Sequence, residues 1–430
     1  MQAESERRFD FFLNIIIVSS DFLPEKSGRE SFLESEFLRI LDKNKKMRLS
    51  LARDFFSLGA NVLIIEPDFS GEKSTCSMEF KEQYGISRVL VHMDSKRQNR
   101  IFPVKDILRF SGKVLDNSAC IGGIFLPDIV ISSGSFPFSF GAAAKIAEES
   151  SAVLITELFC SGDALIKTGA TKKMNPVLTL LKKSEKSALS ESDAVLSFFP
   201  GAKKASFGAH GVIPMDIPSF KPKNSISPEG LSLYEKVFAF KEGKNFVLAS
   251  FVPLENGFSI EELILASKEF EGRLSLVFIS SGSKARFYKS FIAERGIKNV
   301  FFLDEPPEDE ISFILSGADG VFVSENTSLG ESAPQQSRFY QAFSAGKPVL
   351  SASENFLDFL RKSGGAVISR PKNKESLRLG IKALLEMSET DRETLSRSGK
   401  DFFDKNSAEN FSKEYFSLLK HLVKQKENKK

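Results

Sequence analysis

The sequence has no tryptophan, three histidines and three cysteines, and each shortage removes a class of chemistry. Cys76, Cys120 and Cys160 are too few and too widely spaced for a disulfide framework or a four-cysteine zinc site. A reduced, cytoplasmic setting is therefore the default expectation. His92 ends an apolar run, His210 precedes another and His421 lies in a C-terminal helical pattern, so all three read as structural and no metal site is expected. No apolar run approaches the roughly 18 residues that suggest a membrane-spanning helix. Met1–Asp10 is polar and charged, which does not read as a secretory signal. Several ligand motifs are missing as well. There is no Gly-x4-Gly-Lys-Ser/Thr, no Gly-x-Gly-x-x-Gly after the first strand, no Asp-x-Asp pair and no Gly-x-Ser-x-Gly elbow. A net charge of +3 is too small to argue for a nucleic-acid partner.

What is present is a globular composition, 41% hydrophobic and 27% charged over 430 residues. At about 150 residues per domain, that length suggests about three domains. Forty-two phenylalanines against five tyrosines read as bulk core filler. Short apolar runs alternate with longer amphipathic segments throughout. The front half places strands at Asn14–Ser19, Asn61–Ile65, Arg88–His92, Asp128–Ser132, Ala152–Thr156 and Asp193–Ser197. The back half places them at Asn245–Ala249, Leu274–Ser280, Asn299–Leu303, Gly320–Ser324, Pro348–Ser351 and Ala366–Ser369. Apolar strands separated by helices predict parallel sheets covered on both faces, hence two doubly wound α/β domains. Four prolines between Pro214 and Pro228 mark the linker. The expected division is 1–215, 216–400 and a terminal helical piece, 401–430, that crosses back to the first domain.

In open α/β sheets, ligands sit beyond the carboxyl ends of the strands. Four loops there contain glycine and small polar residues. Gly28 precedes a Ser31/Glu34 capping box, and Ser133-Gly134 follows a strongly apolar strand. Gly282 and Ser283 lead into a helix, and a Gly- and Ser-rich stretch feeds a helix whose first turn holds Ser337 and Arg338. The last is the most informative, because unpaired N–H groups and the helix dipole favour an anion there and Arg338 adds a fixed fork of donors. Gln341 lies three residues on, on the same helical face. Plain connecting turns and an incidental arginine are the alternatives. A basic stretch, Asp42–Arg53, followed by Phe55-Phe56, reads either as a solvated helix face or as a surface resting on anionic lipid.

The order of these pieces resembles the family 4 glycosyltransferases of the two-domain GT-B type, and the N-acetyl-L-fucosamine transferase-like subgroup of O-antigen and lipopolysaccharide assembly in particular. The resemblance rests on Pro127–Ser133, Glu157, Leu165–Ala170, Asn175-Pro176, Glu185, Ser192-Asp193-Ala194 and Pro200-Gly201-Ala202 in the front half. In the back half it rests on Ser337-Arg338-Phe-Tyr-Gln341-Ala-Phe-Ser-Ala-Gly346-Lys-Pro348-Val. It runs from Asn14 to about Met387. Phe159-Cys160 stands where the subgroup has Arg-Asp, and no Arg/Lys pair occurs in Ser250–Gly257. The family's paired acids, eight residues apart, become Ala333 and Gln341.

The resemblance implies two Rossmann-like domains facing across a cleft, with C-terminal helices. It also implies transfer of a sugar from a nucleotide-diphosphate donor with retention, without a metal or other cofactor. The donor would meet Gly282, Ser283, Ser337, Arg338 and Gln341, and the acceptor side would include Gly28, Ser133, Gly134 and Glu157. The acceptor would be a glycan or a polyprenyl-linked sugar, which implies peripheral contact with the inner face of the membrane. No general base is identifiable. The departures keep open a decayed glycosyltransferase fold that binds without turnover, and, more remotely, a nucleotide-sugar epimerase.

Overall fold

The structure is a computed structural model. It describes residues 13–19, 32–68, 78–83, 86–93, 104–134, 137–160, 162, 166, 176–198, 212–214, 225–241, 245–251, 254, 259–280, 283–304, 306, 310–324, 337–353 and 356–428. The chain divides into two compact units. One joins Met1–Ile217 to Phe411–Lys430, and the other joins Pro218–Gly330 to Gln335–Asn410.

The first unit holds an eight-stranded sheet, with elements in chain order β1 (Leu13–Ser19), α1 (Phe32–Ser57), β2 (Ala60–Asp68), β3 (Met78–Gln83) and β4 (Ile86–His92). There follow α2 (Val104–Asp116), α3 (Ser118–Ile124), β5 (Ile129–Ser133), α4 (Phe140–Ser150), β6 (Val153–Leu158), α5 (Pro176–Glu191), β7 (Ala194–Ser197) and β8 (Val212–Pro214). The spatial order is β3-β4-β2-β1-β5-β6-β7-β8. Strands β1, β5 and β6 are buried almost end to end, as strands covered on both faces must be.

Two strands differ from the sequence expectation. β3 pairs antiparallel with β4, so the sheet is not wholly parallel, and β8 adds an eighth strand where the proline-rich linker was expected to begin. β3 reads Met-Glu-Phe-Lys-Glu-Gln, a charged edge strand without the apolar run that marks the interior ones.

The second unit holds six parallel strands. It runs α6 (Pro228–Ala239), β9 (Phe246–Ser250), α7 (Ile260–Ser267), β10 (Leu274–Ile279), α8 (Ser283–Glu294), β11 (Val300–Leu303), α9 (Ile311–Ser316) and β12 (Gly320–Val323). It continues through α10 (Ser337–Ser344), β13 (Val349–Ser351), α11 (Leu357–Ser363), β14 (Ala366–Ile368), α12 (Lys374–Glu386) and α13 (Glu389–Lys405). The strand order is β11-β10-β9-β12-β13-β14. A last helix, α14 (Ala408–Glu427), returns to the first unit from Phe411 onward.

One device recurs at the amino edges of both sheets. Asp128, Asp193 and Asp319 each stand just before a strand, and each carboxylate accepts the N–H of the second residue of a neighbouring strand: Asn14 N at 2.8 Å, Leu154 N at 2.8 Å and Val247 N at 2.9 Å. A short side chain thereby satisfies a donor the ladder leaves open. Many of the described phenylalanines lie in the core, while Phe56, Phe80, Phe238 and Phe287 are exposed. Phe55, Phe110, Phe159, Phe198, Phe278, Phe322, Phe339 and Phe343 are all fully buried.

Candidate functional site

In each sheet the strand order reverses once, between β1 and β5 in the first unit and between β9 and β12 in the second. Helices there leave in opposite directions, which opens a crevice at the carboxyl ends of the strands. Ser133 and Gly134 stand at the first of these points.

The residues around Ser133 are bonded to one another. Ser139, at the start of α4, donates to Val18 O at 3.0 Å and lies 3.2 Å from Ser132 Oγ. Ser133 Oγ donates to Glu157 Oε2, and Tyr415 Oη, from α14, donates to Glu157 Oε1 at 2.6 Å. Sequence reading placed Ser133 and Glu157 on the same side of this unit, and the structure joins them directly. It also encloses Glu157, which is 3% exposed.

Two further members of this cluster were missed. Arg48 lies inside with its guanidinium carbon 5.4 Å from the Phe159 ring, and Tyr415 is fully buried. Burial pulls the Arg48 guanidinium down to about 10 against the opposing pull of Glu157 and Glu66. Burial likewise raises the Glu157 carboxyl above its ordinary range, opposed by the bonds from Ser133 and Tyr415 and by the charge on Arg48. The buried Cys160 thiol is pushed up for the same reason and is not a ready nucleophile. The reading of Asp42–Arg53 and Phe55-Phe56 as one exposed basic and aromatic face is corrected in part, since Arg48 and Phe55 point into the core while Phe56 is exposed. The i, i+4, i+8 spacing of Phe411, Tyr415 and Leu419 was the available signal for a buried stripe on α14.

A pH dependence follows from Glu157. Its folded pKa lies above the unfolded value near 4.5, so the unfolded chain ionises first as pH rises. The contribution is complete below pH 4.5 and diminishes through the folded pKa. The melting temperature of the natural protein minus that of Glu157→Gln is expected to fall as pH rises above 4.5. A rising difference would mean that Arg48 holds Glu157 ionised.

In the second unit, Ser250 Oγ donates across the reversal point to Phe322 O at 3.2 Å. α10 begins at Ser337, as the sequence predicts, and its position is fixed by two sets of contacts. Ser312, on α9, donates to Gln341 O at 3.1 Å and accepts from Ser344 Oγ at 2.7 Å. On another side Phe339, Tyr340 and Phe343 pack against Phe356, Phe359 and Phe402, with ring centroids 5.1 to 6.3 Å apart across the group. Arg338 is half-buried at the start of this rigid helix. Gln341 is buried, one turn further in. Ser283 begins α8, while Gly28 and Gly282 lie outside the described residues, as does the Ser31 capping position. Among the described residues no group of three or more His, Cys, Asp or Glu side chains is placed to hold a metal ion.

No family model matches the sequence, and no curated protein matches it. Solved structures match along nearly all of it. Sucrose-phosphate synthase from Thermosynechococcus elongatus aligns over 96% of this chain and 100% of its own, with a TM-score of 0.61 and 12% identity. Anabaena HepE in complex with UDP aligns over 95% and 100%, with a TM-score of 0.60 and 14% identity. A structure of trehalose-6-phosphate from E. coli bound with UDP-2-fluoro glucose aligns over 94% and 99%, with a TM-score of 0.56 and 12% identity. The chain has the GT-B fold. At these identities the likeness carries the architecture, and the side chains of each GT-B unit must carry any argument about ligands. No helix among the described residues is long and apolar enough to cross a membrane.

Proposed function

We propose that this GT-B protein is a glycosyltransferase that takes a nucleotide-diphosphate sugar on its second unit. The observation that carries the reading is Arg338 at the start of α10, a helix fixed by aromatic and serine contacts on the carboxyl side of a doubly wound sheet. Two of the structural neighbours hold UDP or a UDP-sugar, which supports the same ligand class. The diphosphate would lie against the first N–H groups of α10 and the Arg338 fork, and Gln341 with Gly282 and Ser283 would lie toward the nucleoside. As the donor bond breaks, negative charge builds on the departing diphosphate. Fixed donors at that point stabilise it without reorganising.

The chemistry proposed is transfer with retention, without a metal or other cofactor, to a glycan or polyprenyl-linked acceptor in cell-surface polysaccharide assembly. Gly28, Ser133, Gly134 and Glu157 are proposed for the acceptor side, with Glu157 holding Ser133 in place rather than reacting. A cytoplasmic protein resting on the inner face of the membrane fits such an acceptor. The absent Arg/Lys pair in Ser250–Gly257 favours a second reading, a decayed fold that binds donor without turning it over.

Calorimetric titration with uridine and guanosine diphosphates tests the donor site. Micromolar binding of one of them is expected, and no heat with either would remove the proposal. Product analysis with donor alone separates an epimerase, which would convert the donor sugar unaided.

A further inference from the structure

The amino edge of the second sheet carries a cavity of about 930 Å³ that the donor proposal does not use. Its floor is formed where β9, β10, β12 and β13 begin, and one wall is the end of α12 with the first three turns of α13. β9 alone, at about 3.3 Å per residue, separates this edge from the carboxyl edge by roughly 16 Å. The volume lies within the roughly 300–1,000 Å³ of small-molecule sites.

The charge of the lining is uneven. Lys241, Arg273, Lys347, Arg392 and Arg397 face the cavity. Three carboxylates, Asp319, Glu389 and Glu393, share it, which leaves an excess of two positive charges. Asp319 is already engaged, since Lys241 Nζ lies 3.0 Å from its Oδ1 and Val247 N donates to its Oδ2. Arg392 is held in position by a bond from Nη1 to Leu384 O at 3.3 Å and by the Phe246 ring, 5.8 Å from its guanidinium carbon. Phe246, Pro348 and Leu385 supply an apolar patch beside these charges.

We propose that this cavity binds a small organic phosphate monoester, a second ligand separate from the nucleotide donor. A phosphate monoester carries close to two negative charges at neutral pH, which matches the excess, and its organic body would cover the apolar patch. Lys347 has a specific role. Its ammonium is half-buried and held below the usual lysine range, first by burial and then by the neighbouring positive charge of Lys241, with Asp319 acting in the other direction. A dianion against Lys347 relieves that strain, so binding favours the charged lysine and weakens as pH rises toward the alkaline range.

The test is calorimetric titration of the full chain with ribose 5-phosphate, inorganic phosphate and, as a neutral control, ribose. Ribose 5-phosphate is expected to bind best, inorganic phosphate more weakly and ribose not at all. Lys347→Met and Arg397→Gln should each weaken ribose 5-phosphate at least tenfold. Arg397 is exposed, so its variant reports on binding even if Lys347→Met fails to fold. Saturating UDP should leave the ribose 5-phosphate affinity unchanged. The proposal is overturned by absence of heat with both phosphates, by equal binding of ribose, by unchanged affinity in Arg397→Gln, or by competition with UDP, which would assign the phosphate to the donor site.

Discussion

Tyr415→Ala is expected to lower the melting transition of the first unit by roughly 10 °C, at about 2–4 °C per kcal/mol for a unit of this size. Tyr415 is fully buried, and truncating a buried aromatic ring costs about 3–5 kcal/mol. Its ring packs edge-on against Phe55 at 5.3 Å and lies 5.9 Å from Phe411, so the hole would open between α1 and α14. The hydroxyl is the second component. It donates to Glu157 from 258 residues away, and its loss leaves a buried carboxyl oxygen short of a donor. Tyr415→Phe keeps the ring and removes only that bond, with an expected cost of about 1–3 kcal/mol. Differential scanning calorimetry of the two variants separates the ring from the hydroxyl. Equal, small shifts would mean that α14 does not hold the first unit together.

Arg338→Ala is expected to weaken UDP binding about 10- to 100-fold. Charge-assisted hydrogen bonds contribute about 1.5–3 kcal/mol, and about 1.4 kcal/mol is tenfold in affinity. Arg338→Lys keeps the charge and loses the two-pronged geometry, so it should fall between the natural protein and the alanine variant. The buried aromatic face of α10 is untouched by either change, and circular dichroism should show both variants folded. Unchanged affinity in Arg338→Ala would move the diphosphate away from this helix.

Much of the fold was legible because its signals are local. β6 and β10 are buried at every position, and their Val-Leu-Ile and Leu-Val-Phe-Ile runs are the continuous apolar signal of strands covered on both faces. β3 was not legible. Its Glu79, Lys81 and Glu82 suit an edge, and only its pairing with β4 makes it a strand. The start of α10 at Ser337 was legible from the residues that precede and begin it. What Glu157 meets was not, because Tyr415 and Arg48 reach it through tertiary packing that no spacing encodes. Arg48 shows the same limit from the other side. In sequence it is one of several basic residues in a row, and only the helical phase of α1 against the sheet turns it inward while Lys46 stays exposed.

The central claim is that a nucleotide-diphosphate donor seats at the start of α10 in the second unit. Hydrogen–deuterium exchange of the full chain with and without saturating UDP tests it most directly. Slowed exchange across 337–344, with the first unit's Ser133 and Glu157 strands unchanged, is the predicted result. Protection confined to the first unit, or to the Lys241–Lys347 edge of the second, would contradict it.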